Sequence, residues 1–218
     1  MTEATQFAAK LNDETCFLYL ARHGETANNH AGRLQGQQGH HGLSETGVEQ
    51  ARRLGELLQA RPIAAVYSSP LRRAMQTAEI VAAAYGYEVR PVPALMEVNV
   101  GRWEGRSWAE ISASEPAAYA AFMDNPAESP YDGGETFTDV VDRVKPAMDT
   151  LFRAHLGEAI VVVAHSVVNR TYLASALGMP LRRADQLTHH NCAVSVLRQR
   201  HGKVQVVAMN SGFHLGEY

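Results

Sequence analysis

A chain of 218 residues that is 45% apolar and 7% aromatic can bury one sizeable core. Its 20 basic and 23 acidic residues leave a formal charge of -3 with no lysine or arginine run, which argues against a nucleic-acid or membrane surface. The two cysteines, Cys16 and Cys192, make neither a disulfide framework nor a C-x-x-C site.

The opening "MTEATQFAAKLNDETCF" mixes acidic and polar residues with alanine, so it lacks the basic start and apolar centre of a secretory signal and points to a cytoplasmic protein. Residues 1–16 read as a loosely ordered extension of a single domain spanning 1–218. "FLYLA", residues 17 to 21, is a continuous apolar run of strand length. After a polar, glycine-rich loop, Ser44 caps a helix that carries Val48, Ala51, Leu54, Leu57 and Leu58 on one face and stops before Pro62. "IAAVYS", residues 63 to 68, is a second strand, and Ser69 followed by Pro70 predicts a helix start over 70–84, closed by Gly86.

Further on, "YEVRPV", residues 87 to 92, reads as a short strand, and 107–122 as a helix containing Pro116. Helical spacing from Thr136 to His155 places Phe137, Val140, Val141, Val144, Met148, Leu151 and Phe152 on one face, with a kink expected at Pro146. "AIVVVA", residues 159 to 164, is the clearest strand, and it is far shorter than a membrane span. A helix ending near Gly178 follows, then a hairpin of "AVSVLRQ" and "KVQVVAM" turning at "RHGK". Alternating strands and helices predict an α/β fold, a three-layer α/β/α sandwich around a mostly parallel sheet. Ligands of such sheets gather at the carboxyl ends of the strands, where Arg22, His23 and His165 stand.

Reactive residue types concentrate in "ARHGETANN", "SSPLRRAMQTAE", "LMEVNVGRWEG" and "VVAHSVVNR". Arginine forks, glycine-flanked amides and helix starts hold phosphoryl oxygens, and Arg22, Arg73, Gly24 and Ser166 are of those types. A neutral imidazole is a competent nucleophile near neutral pH, which suits His23 to attack phosphorus. The histidines His30, His40, His41, His189 and His190 lack the i, i+4 or carboxylate-paired spacing of a metal site and read as loop or rim residues.

Taken together, in this order and spacing, the segments resemble the histidine phosphatase superfamily, whose fold is phosphoglycerate mutase-like. Arg22, His23, Gly24, Glu25, Thr26 and Asn29 match its R-H-G-E-T-x-x-N pattern, and "GRLQG", with Gln35 and Gly36, matches its substrate loop. "SSPLRRAMQTA" makes Arg73, rather than Arg72, the phosphate ligand; "LMEVNVGRWEG" makes Glu97 the proton donor; "VVAHSVVNR" supplies the second catalytic histidine, His165. "NSGFHL", with His214, is similar to the family's ending.

The resemblance implies a phosphatase that works without metal or cofactor on a small-molecule phosphate ester, with a homodimer allowed for. A phosphohistidine would form on His23, and Arg22, Arg73, His165, Asn29 and backbone amides would cradle the phosphoryl group. Two departures bear on the substrate: Ser166 stands where the family usually has glycine, and "GHHGLS" where an aspartate and a proline are usual. Phosphoglycerate mutase chemistry is the alternative, although the segment between "WEG" and "GGET", residues 106–132, is short for a mutase. A non-catalytic phosphate sensor would be expected to lack the nucleophile or an arginine, and none is missing.

Overall fold

The computed structural model describes residues 13–39 and 41–216. Six strands form one sheet: β1 (Thr15–Arg22), β2 (Ile63–Ser68), β3 (Arg90–Pro91), β4 (Ala159–Ala164), β5 (Val194–Arg200) and β6 (Lys203–Ser211), in the order β3-β2-β4-β1-β5-β6. β1 to β4 run parallel, while β5 is antiparallel to both of its neighbours, so the closing hairpin completes a mostly parallel sheet. His201 and Gly202, both at positive φ, make its two-residue turn, as an inward-twisting hairpin requires.

The helices are α1 (Ala27–His30), α2 (Glu45–Gln59), α3 (Arg72–Ala83), α4 (Trp108–Ser114), α5 (Pro116–Asp124), α6 (Phe137–Ala154) and α7 (Ser166–Ala176). Because side chains alternate across a strand, β4 divides its residues between two cores. Ile160, Val162 and Ala164 pack with α6 and α7 on one face, and Ala159, Val161 and Val163 with α2 and α3 on the other. This two-sided burial is why "AIVVVA" is apolar without alternation, and the three layers match the sandwich the sequence predicts. No helix of the described residues is long and apolar enough to cross a membrane.

Three boundaries differ from expectation. β1 begins at Thr15, so Thr15 and Cys16, counted with the loose extension, are buried in the sheet; residues 1–12 lie outside the described residues. The expected strand 87–92 shrinks to two residues, because Pro91 has no N–H for a ladder and sits at the sheet edge. The helix expected over 107–122 is two helices, with Glu115 out of helical geometry at φ -134° and ψ 54° ahead of Pro116, which opens α5. α6 spans the expected stretch with Pro146 inside it; this proline is exposed, and so is Asp142, whose carbonyl it deprives of a partner.

Candidate active site

Sheet register builds the site. Arg22 pairs with Ala164 and Ser68 with Val163, so the residues that follow, His23, His165 and Ser69, leave three adjacent strands at the same level. The His23 amide donates to the Ala164 carbonyl at 3.0 Å and the Ser69 amide to Val163 at 3.0 Å, extending the ladder by one residue. The rings of His23 and His165 are 5.1 Å apart.

His23, 3% exposed, is fixed at both ring nitrogens. Nδ1 lies 2.7 Å from the Gly24 carbonyl, which only accepts, so Nδ1 carries the proton. Nε2 then holds the lone pair, and Arg73 donates its Nε–H to it at 3.3 Å. Burial, and then the charges of Arg73 and Arg22, keep the His23 pKa well below the ordinary value, against a smaller opposing pull from the Gly24 hydrogen bond. The imidazole is therefore neutral, in one tautomer.

Arg73, 1% exposed, enters from the first turn of α3 and also donates to the Gly36 carbonyl at 2.9 Å. Burial lowers its pKa, partly offset by Glu97 and Glu104. Arg22 donates to the His189 carbonyl at 2.9 Å, and burial lowers it to about 10. Neither guanidinium makes an ion pair with a described carboxylate. A buried cation, Arg73, and a half-buried one, Arg22, both held only by neutral acceptors, make a strong site for an incoming anion. His165 adds Nε2 at 2.7 Å from Ser69 Oγ and a buried, unpartnered Nδ1. Its pKa is also well below the ordinary value, first through burial and then through Arg73, His23 and Arg22.

Glu97 reaches the same place from a loop before the 101–103 turn. Its Oε1 accepts from the amides of Val98 at 2.9 Å and Val168 at 3.3 Å, and its Oε2 from Val167 at 3.2 Å, so the carboxyl docks on the start of α7. The other nearby glutamates are committed elsewhere: Glu25 to Ser44, Glu104 to the amides of Gly36 and Gln38, and Glu110 to Ser107 and Arg33. A cavity of about 200 Å³ opens here, lined by Arg22, His23, Asn29, Gln35, Glu97 and Ser166, and Glu97 is the only carboxylate among its described lining residues. It is smaller than the pockets of about 300–1,000 Å³ that hold drug-sized ligands.

Gly24, Gly36, Arg73 and His165 all lie behind the cavity lining, and the two glycines have partners of their own. Gly24 does not line the cavity; its amide donates to Thr77 Oγ1 at 3.0 Å, its carbonyl holds His23, and a Cβ there would strike the Gly47 carbonyl of α2. Gly36 likewise supports the site from behind, with its amide on Glu104 Oε1 at 2.9 Å and its carbonyl on Arg73. Ser69 Oγ, expected as a helix cap, accepts from the Leu71 amide at 3.3 Å just ahead of α3 and also holds His165 at 2.7 Å.

The rim reading of His189 also changes. It is 3% exposed, burial and then Arg22 lower its pKa to about 3, and its carbonyl holds Arg22. His41 is exposed and His40 is outside the described residues. Sequence reasoning passed over Asn191, which donates to the His23 carbonyl at 2.9 Å and to Asn29 Oδ1 at 3.2 Å. It also passed over Arg33, Tyr131 and Arg170, which line the outer cavity together with Trp108. Arg33 and Arg170 sit inside quoted motifs; the only signal for them was their place next to assigned residues.

A family model, the histidine phosphatase superfamily (branch 1), matches residues 18–212. The chain belongs to this superfamily. Among its relatives is a metal-independent phosphoserine phosphatase of Arabidopsis thaliana, 40% identical over 83% of this chain and 79% of that protein. A probable phosphoglycerate mutase of Erwinia tasmaniensis is 33% identical over 82% of each chain. The phosphoserine phosphatase of Entamoeba histolytica, solved with 3-phosphoglyceric acid, superposes with a TM-score of 0.84 at 26% identity, covering 92% of this chain and 99% of that one. This histidine phosphatase thus has the phosphoglycerate mutase-like fold that its motifs imply.

Proposed function

We propose that the enzyme hydrolyses a small phosphate monoester through a phosphohistidine on His23. The observation that carries the reading is the double constraint on that ring: the Gly24 carbonyl accepts from Nδ1–H, leaving the Nε2 lone pair beside the Arg73 guanidinium. Nε2 attacks phosphorus in line while Arg22, Arg73 and His165 meet the charge on the nonbridging oxygens, with Asn29 and Ser166 at the edge of the cradle. As the ester P–O bond breaks, Glu97 gives its proton to the leaving oxygen and the alcohol departs. The Glu97 carboxylate then takes a proton from water, the water oxygen attacks phosphorus, and inorganic phosphate leaves a neutral His23. Every proton and electron pair is accounted for by these groups and water.

The small cavity favours a compact metabolite, and the names of the relatives put O-phosphoserine first among candidates. The mutase-named relative supports a second reading, in which the phosphohistidine meets another acceptor in place of water. Rapid mixing with substrate, a denaturing quench and mass spectrometry at alkaline pH should find a phosphate on His23. Wild-type turnover by His23→Ala would overturn the proposal. Isomerisation of 3-phosphoglycerate in the presence of the bisphosphate, faster than phosphate release, would favour the mutase reading.

A further inference from the structure

The catalytic cycle above uses Arg22 and Arg73 but leaves a third arginine idle. Arg170 stands on the face of α7 that also presents Ser166 and Val167, four and three residues earlier, and all three line the cavity. Its Nε is buried with no hydrogen-bond partner, and no described carboxylate pairs with its guanidinium. It is near enough to Arg22 and the Tyr131 hydroxyl for its charge to act on both. Leaving a half-buried cation without a counter-charge beside another cation is unfavourable unless a ligand brings the missing anion.

The outer cavity limits what that anion can be. Leu34, Val98, Val100 and Trp108 offer apolar wall, and the remaining cation, Arg33, is already paired with Glu110 at 3.3 Å. One unpaired guanidinium suits one planar monoanion, which it can grip through two parallel N–H donors, better than a second phosphate dianion. Resting on the phosphatase reading, we propose that Arg170 binds a carboxylate of the substrate. The substrate class is then a short phosphate ester of a hydroxy or amino acid, its phosphoryl group at His23 and its carboxylate on α7.

The test compares matched esters. O-phosphoserine is set against O-phosphoethanolamine, and 3-phosphoglycerate against glycerol 3-phosphate, with p-nitrophenyl phosphate as a carboxylate-free reference. Wild type should favour the carboxylated member of at least one pair by about 100-fold in kcat/KM, the scale of a charge-assisted bidentate contact. Arg170→Gln should erase that preference, mostly through KM, and leave p-nitrophenyl phosphate within about threefold. Arg170→Lys keeps the charge but loses the fork, so it should cost about tenfold on the carboxylated ester, and it carries the test if Arg170→Gln does not fold. An equal loss on all esters, or no preference in wild type, would overturn this assignment while the phosphatase stands. No turnover of any ester by wild type would overturn both.

Discussion

At the inner end of the cavity, His23, Ser69 and His165 follow three adjacent parallel strands and are aligned by backbone register, whereas Leu34, Val98, Val100, Trp108 and Tyr131 at the outer end come from loops and short helices. The inner groups are nearly inaccessible and mutually constrained: Gly24 orients His23, Arg73 faces His23, and Ser69 holds His165. The outer wall stands on aromatic residues at the margin of the core shared with α6 and α7, where Trp108 stacks on Phe122 and Tyr131 at ring distances of 5.6 and 6.3 Å. On the proposed function, the strand ends carry the nucleophile and the loops and short helices of the outer wall carry the selectivity.

Changes at the inner end should abolish turnover while the fold survives. The largest effect is expected for His23→Ala, a loss on the order of 10⁵-fold in kcat with the unfolding midpoint near wild type, checked by phosphate release and thermal unfolding. Next, Glu97→Gln should lower kcat about 10³-fold on an alkyl phosphate but far less on p-nitrophenyl phosphate, whose leaving group needs little protonation. Equal losses on both esters would take Glu97 out of the proton-donor role.

The inner end also sets the response to acid. His23, His165 and His189 all have folded-state pKa values below the unfolded value, so below about pH 6.5 the unfolded chain binds more protons than the folded one. Stability should be level above that pH and fall as pH drops, with a limiting slope of about 1.4 kcal/mol per pH unit for each histidine, measured by denaturant unfolding from pH 8 to 4. Denaturation curves that coincide over that range would refute the buried neutral histidines. The smallest effect belongs to the outer wall: Trp108→Ala should raise KM for the preferred ester about tenfold and leave kcat on p-nitrophenyl phosphate within about threefold. A matched fall in kcat on both would show that the two ends are not separable.

The inner end was also the more legible in sequence. "FLYLA", "IAAVYS" and "AIVVVA" announce strands buried on both faces, and the polar residues after them mark the ligand end of the sheet. Glu97 was legible only through the resemblance; from residue type alone it could not be separated from Glu25, Glu104 or Glu110, which tertiary partners then occupy elsewhere. For Ser69 only the local half was legible: its hydroxyl accepts from the Leu71 amide as capping rules suggest, while its second partner, His165, is remote in sequence. Arg170 and Tyr131 were hidden for a related reason: nothing local distinguishes a cavity-facing arginine or tyrosine from one that packs or meets solvent.

Gly24 and Gly47 press their backbones together, with a Cβ on Gly24 blocked by the Gly47 carbonyl and a Cβ on Gly47 blocked by the Glu25 backbone. The nucleophile's loop therefore has a hard stop behind it. On the proposed phosphohistidine route, the backing for the nucleophile's loop comes from α2, a helix that contributes no residue to the lining of the cavity.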